Sequence, residues 1–347
     1  MGFFKKAITG DELVLHYTGS VYGIGCSAFS KKGIEKINEL KQRADGKGYI
    51  VLFPHISWLE RYGLGGSRNY LRIAEQYSPG NLTLLFEDTA GFFTGISLNG
   101  KVAVRIPTDE ALRDYLFEKD VPLISTSINV SGEEPIADLK AIKKLKWHDV
   151  FVSPEDTKST TGNVSPIISE ADNKLELIRE GCISFAALEE SYKTPSVLIV
   201  CTGNICRSPM AEYILKRLYE ERNLKIKVSS AGVLESGNMI SVGSKTALEE
   251  NGYPEAAKHV STELTPEIVQ NSTLIITMTK NHIKHVHKMD QSSLGKTFTL
   301  LEYTDTCFIN CDVEDPYGLE IEFYRKTFKQ IKDSTEKLAE LTEKEIL

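Results

Sequence analysis

In the C-terminal half of the chain, blocks of apolar and polar positions switch between the periods of strands and helices. Val197-Leu198-Ile199-Val200 is continuously apolar and ends at Cys201, and beyond Ser208-Pro209 the positions Ala211, Ile214, Leu215, Leu218 and Tyr219 recur at helical spacing. The same reading predicts strands at 224–229, 273–278 and 296–300. Helices are predicted at 209–221, 242–251 (ended by Gly252), 280–288 and from about 319. Such alternation implies a doubly wound parallel sheet of α/β class, with the loop after Cys201 at the edge where these folds bind ligands.

The N-terminal half carries its own pattern. Leu13 to Cys26 alternates, Lys32 to Gln42 reads as a helix with Ile34, Ile37 and Leu40 on one side, and Tyr49–Phe53 and Val102–Ile106 read as strands. A further helix is predicted near Ala137 to Leu145. The stretch Ser184 to Ser196 has no strand pattern and ends in Pro195. We place a linker at 186–195, between domains at 1–185 and 196–347.

A length of 347 residues suits two cores better than one. The net charge of −7 gives no global basic footprint, which argues against non-specific nucleic-acid binding through bulk charge while leaving a local patch open. Met1-Gly2-Phe3-Phe4-Lys5-Lys6 is too short an apolar run for a signal peptide and nothing approaches a membrane span, so a cytoplasmic protein without membrane contact is expected. Six scattered cysteines fit a reducing compartment better than a disulfide framework.

One stretch carries explicit chemistry. Cys201-Thr202-Gly203-Asn204-Ile205-Cys206-Arg207-Ser208 sits between an apolar strand and a helix. A loop so placed can turn its amides toward an anion, helped by the positive end of the helix dipole, and the same field would lower the pKa of Cys201 toward the nucleophilic thiolate. Arg207 would add a planar fork matching two phosphate oxygens.

The string C-T-G-N-I-C-R-S-P-M-A-E resembles the signature of the low-molecular-weight protein tyrosine phosphatase family. Ser229-Ser230-Ala231-Gly232-Val233, His259-Val260-Ser261, Leu274 to Thr279 and Asp315-Pro316-Tyr317-Gly318 follow in that family's order. The resemblance implies metal-free attack by Cys201 on phosphorus with Asp315 as general acid, then hydrolysis of the cysteinyl-phosphate with Asp315 as base. It further implies that Ser208 hydrogen-bonds the thiolate, that Asn204 holds the loop, and that Leu234 and Tyr317 wall the pocket.

Ile205 stands where phosphotyrosine-type members carry an apolar residue and related bacterial protein-arginine phosphatases carry Thr. This favours a phosphotyrosine protein substrate, although S-A-G-V, K-T-F-T-L-L-E-Y and D-P-Y-G resemble the arginine-phosphatase branch more closely. Arsenate reduction is a further alternative, supported by Cys206, Cys307 and Cys311 but opposed by the lack of a cysteine in the 280s. Cys201 and Cys206 could pair under oxidation. His282, His285 and His287 suggest a metal cluster, yet their offsets do not share one helical face, and a solvated helix is expected instead.

In the N-terminal half, Lys41, Arg43 and Lys47 can be a solvated turn or an anion site, and Ser125 to Ser131 supplies many hydroxyls at a strand end. With T-G-S-V-Y-G-I-G-C, S-P-G-N-L-T, V-A-V-R-I-P, S-T-S-I-N-V-S-G and Arg179-Glu180-Gly181, the segment resembles the YrdC-like threonylcarbamoyl-AMP synthase family. That resemblance implies a twisted open mixed α/β sheet around a large concave cavity. It also implies condensation of L-threonine, bicarbonate and ATP, with Mg, for tRNA modification, and in some members double-stranded RNA binding.

Carried across, Lys41, Arg43 and Lys47 would meet phosphate or carboxylate, and Arg105, Ser127 and Asn129 the adenylate side. Thr18 and Ser20 would meet threonine, and Arg179 would close the cavity. The chain departs from the family where Tyr17 and Gly19 replace a Pro and a carboxylate, and where Gly162 to Ser169 loses a Thr and an Asp. An active synthase and a non-catalytic nucleotide- or RNA-binding module both remain open.

Overall fold

The computed structural model describes residues 11–42, 48–97, 99–128, 138–152, 164–306 and 311–345. The chain divides into two compact units, Met1–Leu188 and Glu189–Leu347. The stretch expected to be a linker at 186–195 is largely the helix Phe185–Lys193. Its first turn is held by Ser184, whose Oγ accepts the Ala187 N–H at 3.3 Å.

The N-terminal unit is built on a nine-stranded mixed sheet of order β7-β1-β2-β6-β3-β5-β4-β8-β9. Its strands are β1 (Val14–Tyr17), β2 (Tyr22–Ser27), β3 (Ile50–Leu52), β4 (Thr83–Glu87), β5 (Lys101–Arg105), β6 (Leu123–Ser127), β7 (Val150–Val152), β8 (Ile167–Ala171) and β9 (Lys174–Arg179). β1 and β6 both pair antiparallel with β2, so Gly23 stands opposite His16 on one side and Ser127 on the other. The helix Lys31–Lys41 starts at Ser30, whose Oγ accepts the Gly33 N–H, and buries Ile37. Val14, Leu52, Leu112, Leu116 and Val152 form a core cluster.

The C-terminal unit has a four-stranded sheet of order β11-β10-β12-β13, parallel throughout: β10 (Ser196–Cys201), β11 (Lys227–Gly232), β12 (Leu274–Thr277) and β13 (Thr297–Thr299). This is the doubly wound arrangement expected. Helices cover both faces, which is why β10 is apolar at every position from Val197 to Val200. Val197, Ile199 and Cys201 pack with Met210, Ile214, Leu215 and Ile331, from the helices Arg207–Glu221 and Ile321–Glu345. Leu198 and Val200 face the opposite layer with Leu264, Val269 and Val286. Strand order reverses around β10, so its C-terminal end opens into the crevice where such sheets place their ligands.

Candidate active site and ligand cavity

Cys201 ends β10 in register with Gly232 of β11, and the following loop turns at Asn204, whose φ is 52°. Asparagine tolerates that left-handed conformation better than most residues. Its side chain is fully committed: Nδ2 donates to Ser208 Oγ at 2.9 Å and Ser230 Oγ at 2.6 Å, and Oδ1 accepts the Thr262 N–H at 2.8 Å. Ser230 in turn donates to the Glu212 carboxylate, and His259 Nε2 donates to the Asn204 carbonyl at 2.8 Å. Because Asn204 donates to Ser208, the Ser208 proton is left for Cys201 Sγ, 3.0 Å away. The Asn204 backbone N–H reaches the same sulfur at 3.3 Å. Two donors on one buried sulfur stabilise negative charge there.

Arg207 opens the helix Arg207–Glu221 and is 4% exposed. Its Nη1 donates to the Val313 carbonyl at 3.0 Å, and Nη2 donates to Thr202 Oγ1 at 3.3 Å and Asp315 Oδ2 at 2.5 Å. The Nε–H is buried with no partner among the described residues. An unsatisfied donor on a buried cation is costly unless an acceptor arrives, and an oxyanion held in the loop would be one. Asp315 itself is about half exposed at the mouth.

Of the remaining loop residues, Thr202 and Gly203 follow the sulfur. Cys206 donates to Ser241 Oγ at 3.1 Å, and burial pushes its thiol up. Ile205 and Tyr317 line a groove of about 770 Å³, while Leu234 and Tyr317 are 58% and 65% exposed. Cys26, Cys182, Cys201 and Cys206 are free, whereas Cys311 is disulfide-bonded, a departure from the expectation of unpaired thiols. Cys307 lies outside the described residues.

The histidines differ from expectation. His285 is exposed, but His282 is 5% exposed rather than solvated. The helix Lys280–Met289 begins at Thr279, directly after β12, and this puts His282 beside the loop with Nε2 3.0 Å from Thr202 Oγ1 and Nδ1 2.9 Å from Thr279 Oγ1. Burial, then the charge of Arg207, lowers its pKa to about 4. The available signal was a histidine three residues after a threonine helix cap at the sheet edge that carries Cys201.

In the N-terminal unit, a cavity of about 440 Å³ is lined by Thr18, Arg105, Ser127 and Arg179 together with Tyr22, Tyr49, Lys101 and Ser125. Two expected ligand residues do other work. Ser20 is fully buried and takes a hydrogen bond from Arg105 Nη2 at 3.2 Å, and the buried Lys41 ammonium donates to the Ser127 carbonyl; neither is among the residues lining the cavity. Arg105 is further held by Gly80 O and Asn81 Oδ1, and burial lowers its pKa to about 10. Arg179 donates to the Ser165 carbonyl at 2.7 Å. Arg43, Lys47 and Asn129 lie outside the described residues. Lys101 and the His16–Ser125 pair, 2.8 Å apart across Gly23, escaped the sequence reading because their partners are distant in the chain.

Comparison with known proteins agrees with both halves. Residues 196–346 match the family described as low molecular weight phosphotyrosine protein phosphatase, and residues 6–181 match the Sua5/YciO/YrdC family, described as telomere recombination. A protein-arginine-phosphatase of Bacillus subtilis is 35% identical over 150 residues, which is 43% of this chain and 97% of that protein. A low molecular weight protein-tyrosine-phosphatase of Acinetobacter johnsonii is 32% identical over 133 residues, covering 38% of this chain and 87% of the relative. A Methanocaldococcus jannaschii protein described as a candidate threonylcarbamoyl-AMP synthase is 28% identical over 186 residues, 54% of this chain and 87% of its own.

Proposed function

Because the chain belongs to the low molecular weight phosphotyrosine protein phosphatase family through residues 196–346 and to the Sua5/YciO/YrdC family through residues 6–181, we propose that it is a cysteine-dependent phosphatase acting on phosphotyrosine in proteins. The observation that carries this reading is the pair of donors, Ser208 Oγ–H and the Asn204 N–H, converging on Cys201 Sγ beside the unpartnered Nε–H of Arg207.

The steps follow from those positions. Cys201 Sγ attacks phosphorus and the phosphorus–oxygen bond of the leaving group breaks, while Arg207 neutralises charge on the oxygens that remain. Asp315, at the mouth, gives its proton to the departing phenolate. Water then attacks the cysteinyl-phosphate, Asp315 takes back a proton, inorganic phosphate leaves and the thiolate is restored. Every step uses only this chain's residues and water.

The decisive experiment is steady-state hydrolysis of phosphotyrosine and phosphoarginine peptides by the full chain, with Cys201→Ser as control. Turnover of phosphotyrosine that the control lacks is the expected result. Preference for phosphoarginine would transfer the assignment to the second substrate class, and inertness toward both would remove the phosphatase reading.

For the N-terminal unit we propose ligand binding in the Arg105–Arg179 cavity, with ATP and Mg or L-threonine as the ligands to try. The observation favouring binding over synthesis is that Ser20 is fully buried, accepts from Arg105 Nη2 and is not among the residues lining the cavity. Calorimetry with ATP–Mg, L-threonine and duplex RNA tests it. Formation of threonylcarbamoyl-AMP when bicarbonate is added would restore the synthase, and RNA binding alone would make this unit a targeting module.

A further inference from the structure

The hydrogen bonds around Arg207 join it to two side chains outside the helix it opens. A guanidinium has donors and no acceptor, so Thr202 Oγ1 receives the Nη2–H at 3.3 Å and its own proton must go elsewhere. The tautomer that carries this proton onward accepts it at His282 Nε2, 3.0 Å away. A ring whose Nε2 accepts carries its proton on Nδ1, and that proton points to Thr279 Oγ1 at 2.9 Å. Thr279 is the cap of the helix Lys280–Met289 and also takes the His282 backbone N–H. A chain of donors therefore runs from Arg207 through Thr202 and His282 into a helix terminus beside the neighbouring strand β12. Burial, then the charge of Arg207, lowers the pKa of the imidazole and so favours the neutral ring that this polarity uses.

The arrangement matters because the other side-chain partner of Nη2 is Asp315. In the proposed mechanism Asp315 must turn to the leaving group, and from then on Thr202 is the side chain that remains on that nitrogen. We propose that Thr202 and His282 are positioning residues that together hold the Arg207 fork in its oxyanion-gripping orientation once Asp315 has released it. This rests on the phosphatase reading for its role in turnover, but its effect on oxyanion binding stands apart from that reading.

The test uses the full chain and two readouts. Affinity for inorganic phosphate is measured by calorimetry in the non-turning-over Cys201→Ser background, and kcat and KM for a phosphotyrosine peptide are measured with Cys201 present. Thr202→Val keeps the shape and removes the hydroxyl. His282→Ala removes the acceptor, and His282→Gln offers a carbonyl oxygen in its place.

Thr202→Val and His282→Ala are each expected to weaken phosphate binding by about tenfold and to lower kcat/KM for the peptide by at least as much. The double variant is expected to lose no more than either single one, because both break the same chain, and His282→Gln should stay within about threefold of the parent. Undiminished phosphate affinity in Thr202→Val, or losses that add in the double variant, would overturn the proposal. So would a defect in His282→Ala that Thr202→Val does not share, whether in affinity or in thermal stability. Absence of turnover with the expected pattern in phosphate affinity would sink the phosphatase reading and leave this inference standing.

Discussion

Asp315 Oδ2 lies 2.5 Å from Arg207 Nη2, so the carboxyl group proposed as the acid is bound to the cation proposed to hold the substrate phosphate. Arg207 is 5% exposed at its side chain and Asp315 is 45% exposed, so the aspartate can leave while the arginine stays. An incoming phosphate competes with the carboxylate for the same nitrogen. Asp315→Asn is therefore expected to have opposite effects on binding and chemistry. Loss of the general acid should lower kcat by roughly 10²- to 10³-fold, while removal of the competing charge should tighten inorganic phosphate by about threefold or more. Product-inhibition constants beside kcat check both, and weaker phosphate binding in the variant would show that Asp315 organises Arg207 instead of blocking it.

Ile205 offers a direct test of substrate class. It lies in the phosphate loop and also lines the groove with Tyr317, where its apolar side chain would meet the aromatic ring of a phosphotyrosine. Thr at this position would present a hydroxyl suited to a guanidinium. Ile205→Thr is expected to lower kcat/KM for phosphotyrosine peptides by about tenfold and to raise it for phosphoarginine peptides. An unchanged ratio between the two substrates would mean that the choice is made elsewhere in the groove.

What the sequence revealed about this site follows from how its parts are distributed. Cys201 to Glu212 is contiguous, so strand, nucleophile, turn, cation and helix could be read in one pass, and Asp315 was legible because Pro316 and Tyr317 accompany it. His282 was not, since its partner Thr202 is 80 residues away and its burial depends on how the helix after β12 meets the loop after β10. Ser20 and Lys41 were legible as polar residues at motif positions, whereas their partners, Arg105 and the Ser127 carbonyl, lie 85 and 86 residues away and could not be read from the sequence. The helix Phe185–Lys193 ends just before Pro195, and Ser184 with the Ala-Ala-Leu-Glu-Glu run supplies its cap and good helix formers.

Lys296 is 6% exposed, its ammonium donating to the carbonyls of Ser272 at 2.8 Å and Gln270 at 3.1 Å. Burial pulls its pKa from 10.5 down to about 7, against a smaller opposing effect of Asp290. In this window the unfolded chain binds more protons than the folded one, so the residue's contribution to stability rises with pH between about 7 and 10.5 and is lost as pH falls back. Urea unfolding at pH 7 and pH 9 should show a gain that is smaller in Lys296→Met by on the order of 1 kcal/mol. Equal gains in the two proteins would mean that Lys296 keeps its proton in the fold across that range.

Gly232 ends β11 against the loop, and a Cβ added there would lie 2.8 Å from the Asn204 nitrogen, 2.8 Å from the Gly203 carbonyl carbon and 2.9 Å from the Thr202 oxygen. All three are backbone atoms, so no side chain can swing aside, and the loop itself would have to move. Gly232 is also fixed on its other flank, its N–H donating to Thr262 O at 2.8 Å and its carbonyl accepting from Leu264 N at 2.7 Å. The displacement in Gly232→Ala therefore falls on Asn204, whose N–H supports the sulfur of Cys201. Overpacking of this kind costs roughly 1–3 kcal/mol of stability, which a folded domain can absorb. A loop shift of even about 1 Å at a reacting centre costs on the order of 10²-fold in rate. Gly232→Ala is thus expected to fold, to melt at a moderately lower temperature and to lose most of its kcat. Full activity in a chain whose melting temperature has dropped would show that the loop can retreat without disturbing the nucleophile.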